Sequence, residues 1–195
     1  WDARIEPAML VLSDRAAIDG AAVPVRVRVR RNALSAASGT VGVEVADVPS
    51  ERARVELENP QFDALADGEE AVVQGVLRVA PGGAPGPFSW TLRAVLAAVE
   101  SRPTVSPEAP SAEAAAKTPE PAPKPVAEPV ADLAWRRVVD YPHVARRLLR
   151  EPAIATVRAF DLALPPAGVR VGYVRGIGED SDRLLLQLSV DLRTL

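Results

Sequence analysis

Residues 22–31 constrain the fold more than any other stretch, because Val23, Val25, Val27 and Val29 alternate strictly with Pro24, Arg26, Arg28 and Arg30. A period of two sends successive side chains to opposite faces of an extended backbone, so this is a strand with one buried and one wet face. β-Branched valine favours the same backbone. The pattern returns over residues 40–46, with Val41, Val43 and Val45 inward, and a Ser/Ala/Gly-rich turn over 32–39 predicts that the two segments pair as a hairpin. Val55 and Leu57 mark a short strand, residues 71–79 another with Val73, Leu77 and Val79 inward, and residues 88–99 a longer one with Phe88, Trp90, Leu92, Ala94 and Leu96 on one side. Turn chemistry separates them at Asn59-Pro60, Asp67-Gly68 and residues 81–87. Short alternating strands at this spacing predict a mainly β protein, an Ig-like antiparallel β-sandwich.

The composition then changes. Residues 103–130 hold eight prolines and seven alanines with almost no large apolar side chains, too little to offset the entropy of ordering them. Leu133, Trp135 and Val138 restore strand character afterwards. The stretch is therefore expected to be a disordered loop inside a sandwich spanning residues 1–141, with residues 134–139 antiparallel to part of 90–99. Residues 142–168 are expected to form a junction. Over 169–195 the class changes: Val169, Val171 and Tyr173 run into Val174, Gly176 and Gly178 make a tight turn, and Leu184, Leu185 and Leu188 stand at helical spacing behind Asp180 or Ser181. A second strand over 190–195 would complete a β-α-β unit with parallel strands and one uncovered face. An α/β domain cut short at Leu195 is expected, or a partner that completes its sheet, and Trp1 in place of Met predicts a missing upstream segment.

Chemistry-bearing residues are sparse. The chain has no cysteine and a single histidine, His143, whereas zinc enzymes usually assemble two or three imidazoles and nucleophilic triads need a positioned base. Self-contained catalysis is not expected, and no catalytic, metal or cofactor-binding residue is assigned. A net charge of −3 gives no general attraction to nucleic acid, and no apolar run is long enough to span a bilayer. The turn from Gly172 to Gly178 follows a strand and precedes a helix, but Glu179, Asp180 and Asp182 would repel phosphate. Arg26, Arg28 and Arg30 form an outward row that could grasp an acidic glycan, but Glu44 on the neighbouring strand is expected to pair with one of them in a solvated mixed-charge face. Arg136, Arg137, Arg146, Arg147 and Arg150 form a second basic cluster, suited to an acidic surface of a parent protein. His143 is expected to donate a hydrogen bond at a domain junction. Trp90 falls in the inward phase of its strand, which leaves Trp135 as the candidate to stack on a glycan.

Two segments carry a family resemblance: V-V-D-Y-P-H-V at 138–144 and V-R-V-G-Y-V-R-G-I-G-E-D at 169–180. Together with R-I-E-P-A-M-L-V-L at 4–12 and F-D-A-L-A-D-G-E at 62–69, the chain resembles the non-catalytic half of large bacterial PIG-L/LmbE-type deacetylases. The resemblance implies an Ig-like module, a Tyr-Pro-His junction, then the start of a glutamine-amidotransferase-like α/β domain. It also implies that zinc and the hydrolysis of an N-acetyl group belong to a catalytic domain absent here, because the zinc-binding motif has no counterpart in this sequence. Three functions follow as expectations: an accessory or scaffolding region positioning such an enzyme on glycan or the cell envelope, a structural subunit completed by a partner protein, and an independent carbohydrate-binding module. The first implies a cell-envelope or secreted location.

Overall fold

The computed structural model describes residues 1–46, 48–84, 86–100, 128–130, 133–161, 170–173 and 191–194. In chain order the elements are β1 (Asp2–Glu6), β2 (Met9–Ser13), a one-turn helix α1 (Ala16–Asp19), β3 (Ala21–Arg30), β4 (Ala37–Ala46), β5 (Ala53–Leu57) and β6 (Gln61–Leu65). β7 (Glu70–Val79), β8 (Phe88–Glu100), β9 (Glu128–Pro129), β10 (Ala134–Tyr141), β11 (Val144–Pro152) and β12 (Ile154–Phe160) follow. One sheet has the order β11-β10-β1-β3-β7-β5, the other β2-β12-β8-β4-β6 with β9 also on β8. The alternating residues face inward between them: Val23, Val25, Val27 and Val29 of β3, Leu77 and Val79 of β7, Leu92, Ala94 and Leu96 of β8, and Val41 of β4 are all buried in one core. The chain is a mainly β sandwich, Ig-like in general layout.

The predicted hairpin between β3 and β4 is not formed. β3 pairs β1 and β7, whereas β4 pairs β6 and β8 in the opposite sheet. Alternation reports that one face is buried and is silent on whether two such faces lie side by side or across the core. The crossing is held by Arg31, which is buried and donates from Nε to Ser35 O (3.0 Å) and from Nη2 to Ser35 Oγ (3.1 Å).

The segment expected to flank β8 goes elsewhere too. β10 pairs parallel with β1 and antiparallel with β11, and the place beside residues 88–93 is taken by β12, antiparallel to β8 and parallel to β2. The sandwich therefore runs on past Tyr141 to Phe160, and much of the expected junction at 142–168 is strand. Ala155, Val157 and Ala159 of β12 are buried in the core. Residues 128–130, the end of the expected loop, lie along β8, with Val130 N–H donating to Leu96 O at 2.8 Å. The rest of that loop lies outside the described residues.

Two crossings between the sheets lie close together. β1 passes to β2 through the cis Glu6-Pro7 bond, and β11 passes to β12 through Ala153. Thr156 N–H donates to Ala8 O (2.9 Å), Ala153 N–H to Leu133 O (3.0 Å) and Ala94 N–H to Ala153 O (2.9 Å). Near the chain's end, β13 (Arg170–Tyr173) and β14 (Asp191–Thr194) pair in parallel. The helix expected between them falls outside the described residues.

Gly75 of β7 lies where β5 comes close: a Cβ there would stand 2.7 Å from Glu56 O and 2.6 Å from Leu57 Cδ2. A backbone oxygen cannot swing aside. Gly75→Ala is expected to cost roughly 1–3 kcal/mol, as overpacking usually does, read as a lower urea midpoint at unchanged slope. Ending the chain after Tyr141 removes β11 and β12 and should abolish the cooperative thermal transition, whereas ending it after Asp161 should preserve the transition; circular dichroism distinguishes the two.

Candidate functional site

Asp2 sits on β1 between β3 and β10 and is 1% exposed. A carboxylate buried alone would be costly, so partners must reach it. Arg30 donates from Nη2 to Oδ2 at 2.5 Å and Arg136 from Nε to Oδ1 at 2.6 Å, while Arg30 also donates to Arg136 O at 2.9 Å. Burial pushes the Asp2 carboxyl up, but the hydrogen bonds from Arg30 and Arg136 outweigh it and hold the pKa below the usual aspartate value. Next along β1, Glu6 receives Arg28 Nε at 3.0 Å and Arg4 Nη2 at 2.8 Å, and Arg28 also approaches Glu70 at 3.5 Å.

This arrangement corrects two expectations. Arg28 and Arg30 of the outward row on β3 are matched by Glu6 and Asp2 of β1 and Glu70 of β7, because those strands are its neighbours; Glu44 is on the other sheet, beside Arg93 of β8. Trp135 is 6% exposed, and the guanidinium carbons of Arg4 and Arg30 lie 4.3 and 4.5 Å from its ring centroid. Its stacking surface is occupied by cations, so it does not offer a platform to a sugar. Trp90 is half-buried against the core and stacks on Phe88 at 4.1 Å between centroids.

A shallow groove of about 270 Å³ runs beside β5 and β7, lined in part by Arg52, Arg54 and Arg78. Glu56 engages two of these cations, with Arg54 Nε at 2.9 Å and Arg78 Nε at 2.5 Å, and they hold its carboxyl below the usual glutamate range. Among the described residues no group of three His, Cys, Asp or Glu side chains is placed to hold a metal ion. The turn residues 174–180 lie outside the described residues.

The second basic cluster is built differently. β10 and β11 form a two-stranded ribbon whose register pairs Val138 with Leu148, Arg137 with Leu149 and Val139 with Arg147. Val138 and Leu148 are 47% and 63% exposed, and Tyr141 and Leu149 are exposed as well. Tyr141-Pro142-His143 is the exposed turn of this ribbon and not a junction between domains, so His143 points to solvent from a hairpin tip. Arg146 meets Asp140 only at 4.0 Å with both side chains largely exposed. Sequence reasoning identified the arginines here but missed β11, because V-A-R-R-L-L-R-E-P has no alternation to betray a strand that is wet on both faces.

No family model matches this chain, and no curated protein matches it. Among solved structures, SSP-19, an MSP-domain protein like family member in Caenorhabditis elegans, aligns over 80% of this chain and 97% of its own at 12% identity, with a TM-score of 0.32. A likeness at that level carries no argument about fold or function. No helix among the described residues is long and apolar enough to cross a membrane.

Asp2 generates a test with a defined sign. Its folded pKa is lowered, so its contribution is fully present above the unfolded value near 4 and is lost as pH falls through the lower folded value. Asp2→Asn is expected to cost on the order of 1–3 kcal/mol at pH 7, below the range for fully buried pairs because Arg136 is 41% exposed. The gap from wild type should close on acidification below about pH 4, measured as urea midpoints across pH.

Proposed function

We propose that this chain is a non-catalytic interaction module, a β-sandwich that presents the β10–β11 ribbon to another polypeptide. The observation that carries the reading is the contrast between its two arginine clusters. On β1 and β3 the arginines are matched by buried or half-buried carboxylates and covered by Trp135, a structural use of charge. On the ribbon, Arg137, Arg146 and Arg147 stand among exposed Val138, Leu148 and Leu149, a mixture that gains little from solvent and much from a partner.

The resemblance to PIG-L/LmbE-type deacetylases gives this proposal a setting. In it the chain is an accessory region holding or orienting a zinc-dependent catalytic domain at a glycan or envelope surface, and a partner extends the β13–β14 pair into a full α/β sheet. That parentage rests on the sequence motifs alone. The independent carbohydrate-binding reading loses its one named contact with the burial of Trp135.

The test is direct. Purified chain incubated with one equivalent of zinc and N-acetylglucosamine is expected to release no acetate, and calorimetry is expected to give no saturable heat with the same sugar. Zinc-dependent turnover that survives repurification and disappears in His143→Ala would overturn the non-catalytic reading.

A further inference from the structure

We propose that β11 is a receiving edge: an acidic, extended segment of a partner polypeptide adds to it as a further antiparallel strand. This rests on the reading of the chain as an interaction module and names the chemistry of what it binds. β11 ends the order of its sheet and, among the described residues, is paired along one side only. Its nine residues present a ladder edge of roughly 30 Å at about 3.3 Å per residue. Proteins usually blunt such an edge with proline, charge or a bulge, because unpaired N–H and C=O groups recruit another strand. Here the proline is confined to Pro152 at one end and the irregularity to Val139–Tyr141 of the partner strand near the other. Between them the edge is guarded by charge alone, Arg146, Arg147 and Arg150, which deters a like-charged strand and admits an acidic one.

The side chains of that stretch specify the occupant. Arg146, Arg147, Leu148 and Leu149 run consecutively, so both faces of the edge carry one cation and one leucine. An antiparallel strand laid against them is best matched by two apolar residues opposite Leu149 and Leu148, followed by two carboxylates opposite Arg147 and Arg146. Val138 and Arg137, which stand directly behind Leu148 and Leu149, extend the same two faces inward. Backbone pairing would supply affinity and the side-chain order would supply specificity.

Two other occupants fit less well. A second copy of the chain joined edge to edge would bring Arg146 and Arg147 of both copies into one seam, where like charges repel. A nucleic acid would satisfy the arginines but leave Leu148, Leu149 and Val138 facing phosphate, on a chain whose net charge is −3.

The experiment uses the full chain, isotope-labelled, and three probes: a ten-residue peptide centred on Leu-Val-Glu-Asp, the same peptide with both acids changed to lysine, and a twenty-base-pair DNA duplex. Titration of the acidic peptide is expected to shift the amide signals of residues 145–151 and to slow their hydrogen exchange at least tenfold, the mark of new ladder hydrogen bonds. The lysine peptide is expected to bind at least tenfold more weakly. Arg146→Glu with Arg147→Glu should remove binding of the acidic peptide while leaving the thermal midpoint within a few degrees, since these side chains are exposed, and Arg146→Lys with Arg147→Lys should restore most of it. Three results would overturn the proposal: no shift at millimolar acidic peptide, tighter binding of the duplex than of the peptide, or concentration-dependent dimerisation that protects the same amides without any peptide. None of these touches the non-catalytic reading, which falls only to zinc-dependent turnover.

Discussion

Ala153 bonds to both sheets at once. Its N–H donates to Leu133, just before β10, and its carbonyl accepts from Ala94 of β8 in the opposite sheet, so the chain can leave one layer and join the other without stranding a polar backbone group in the interior. At 2% exposure the position favours a small side chain. The neighbouring crossing at Pro7-Ala8 is tied to the same place through Thr156. The layers are thereby clamped along one side, and the rest of the core closes against that clamp. β10 and β11 extend from it as a continuation of one sheet with no second layer, among the described residues, behind most of their length, which is why the ribbon is wet on both faces.

The charged residues sort by the same geometry. Where the sheet is backed by the core and flanked by strands on both sides, arginine and carboxylate stand in adjacent rows, and Asp2 can be buried because two guanidiniums reach it. Trp135 becomes a cover for Arg30 and for Arg4 and not a recognition surface. Where the sheet runs out of neighbours, Arg146 meets Asp140 only at 4.0 Å, and Leu148 and Leu149 beside it stay exposed. The contrast follows from position in the sheet.

Much of the core was legible in the sequence. Val23 to Val29, Leu77, Val79 and Leu92 to Leu96 announce themselves by strict alternation, and they are buried. Which sheet each strand joins was not legible, since valines facing across a core and valines side by side have the same period. β12 was missed because alanine fills two of its three inward positions, at Ala155 and Ala159, while Ile154 and Phe160 stand on the outward face and blur the alternation. Trp135 was misjudged because phase along a strand cannot reveal that Arg4 and Arg30, distant in sequence, converge on its ring. The basic ribbon was visible as composition and invisible as structure.

Placing β1 beside β10 and β2 beside β12 also sets a temporal order on a growing chain. The strands β3, β7 and β5, and likewise β4, β8 and β6, bind neighbours close in sequence and can assemble as soon as residue 100 has emerged. β1 can join them by one edge, but its other edge, and the pairing of β2 with β12, wait for strands made more than a hundred residues later. Because contacts of such long sequence separation form slowly, the strands that open the sandwich are the last of it to be fully secured, and the nascent domain exposes apolar edges that invite premature association until β12 arrives.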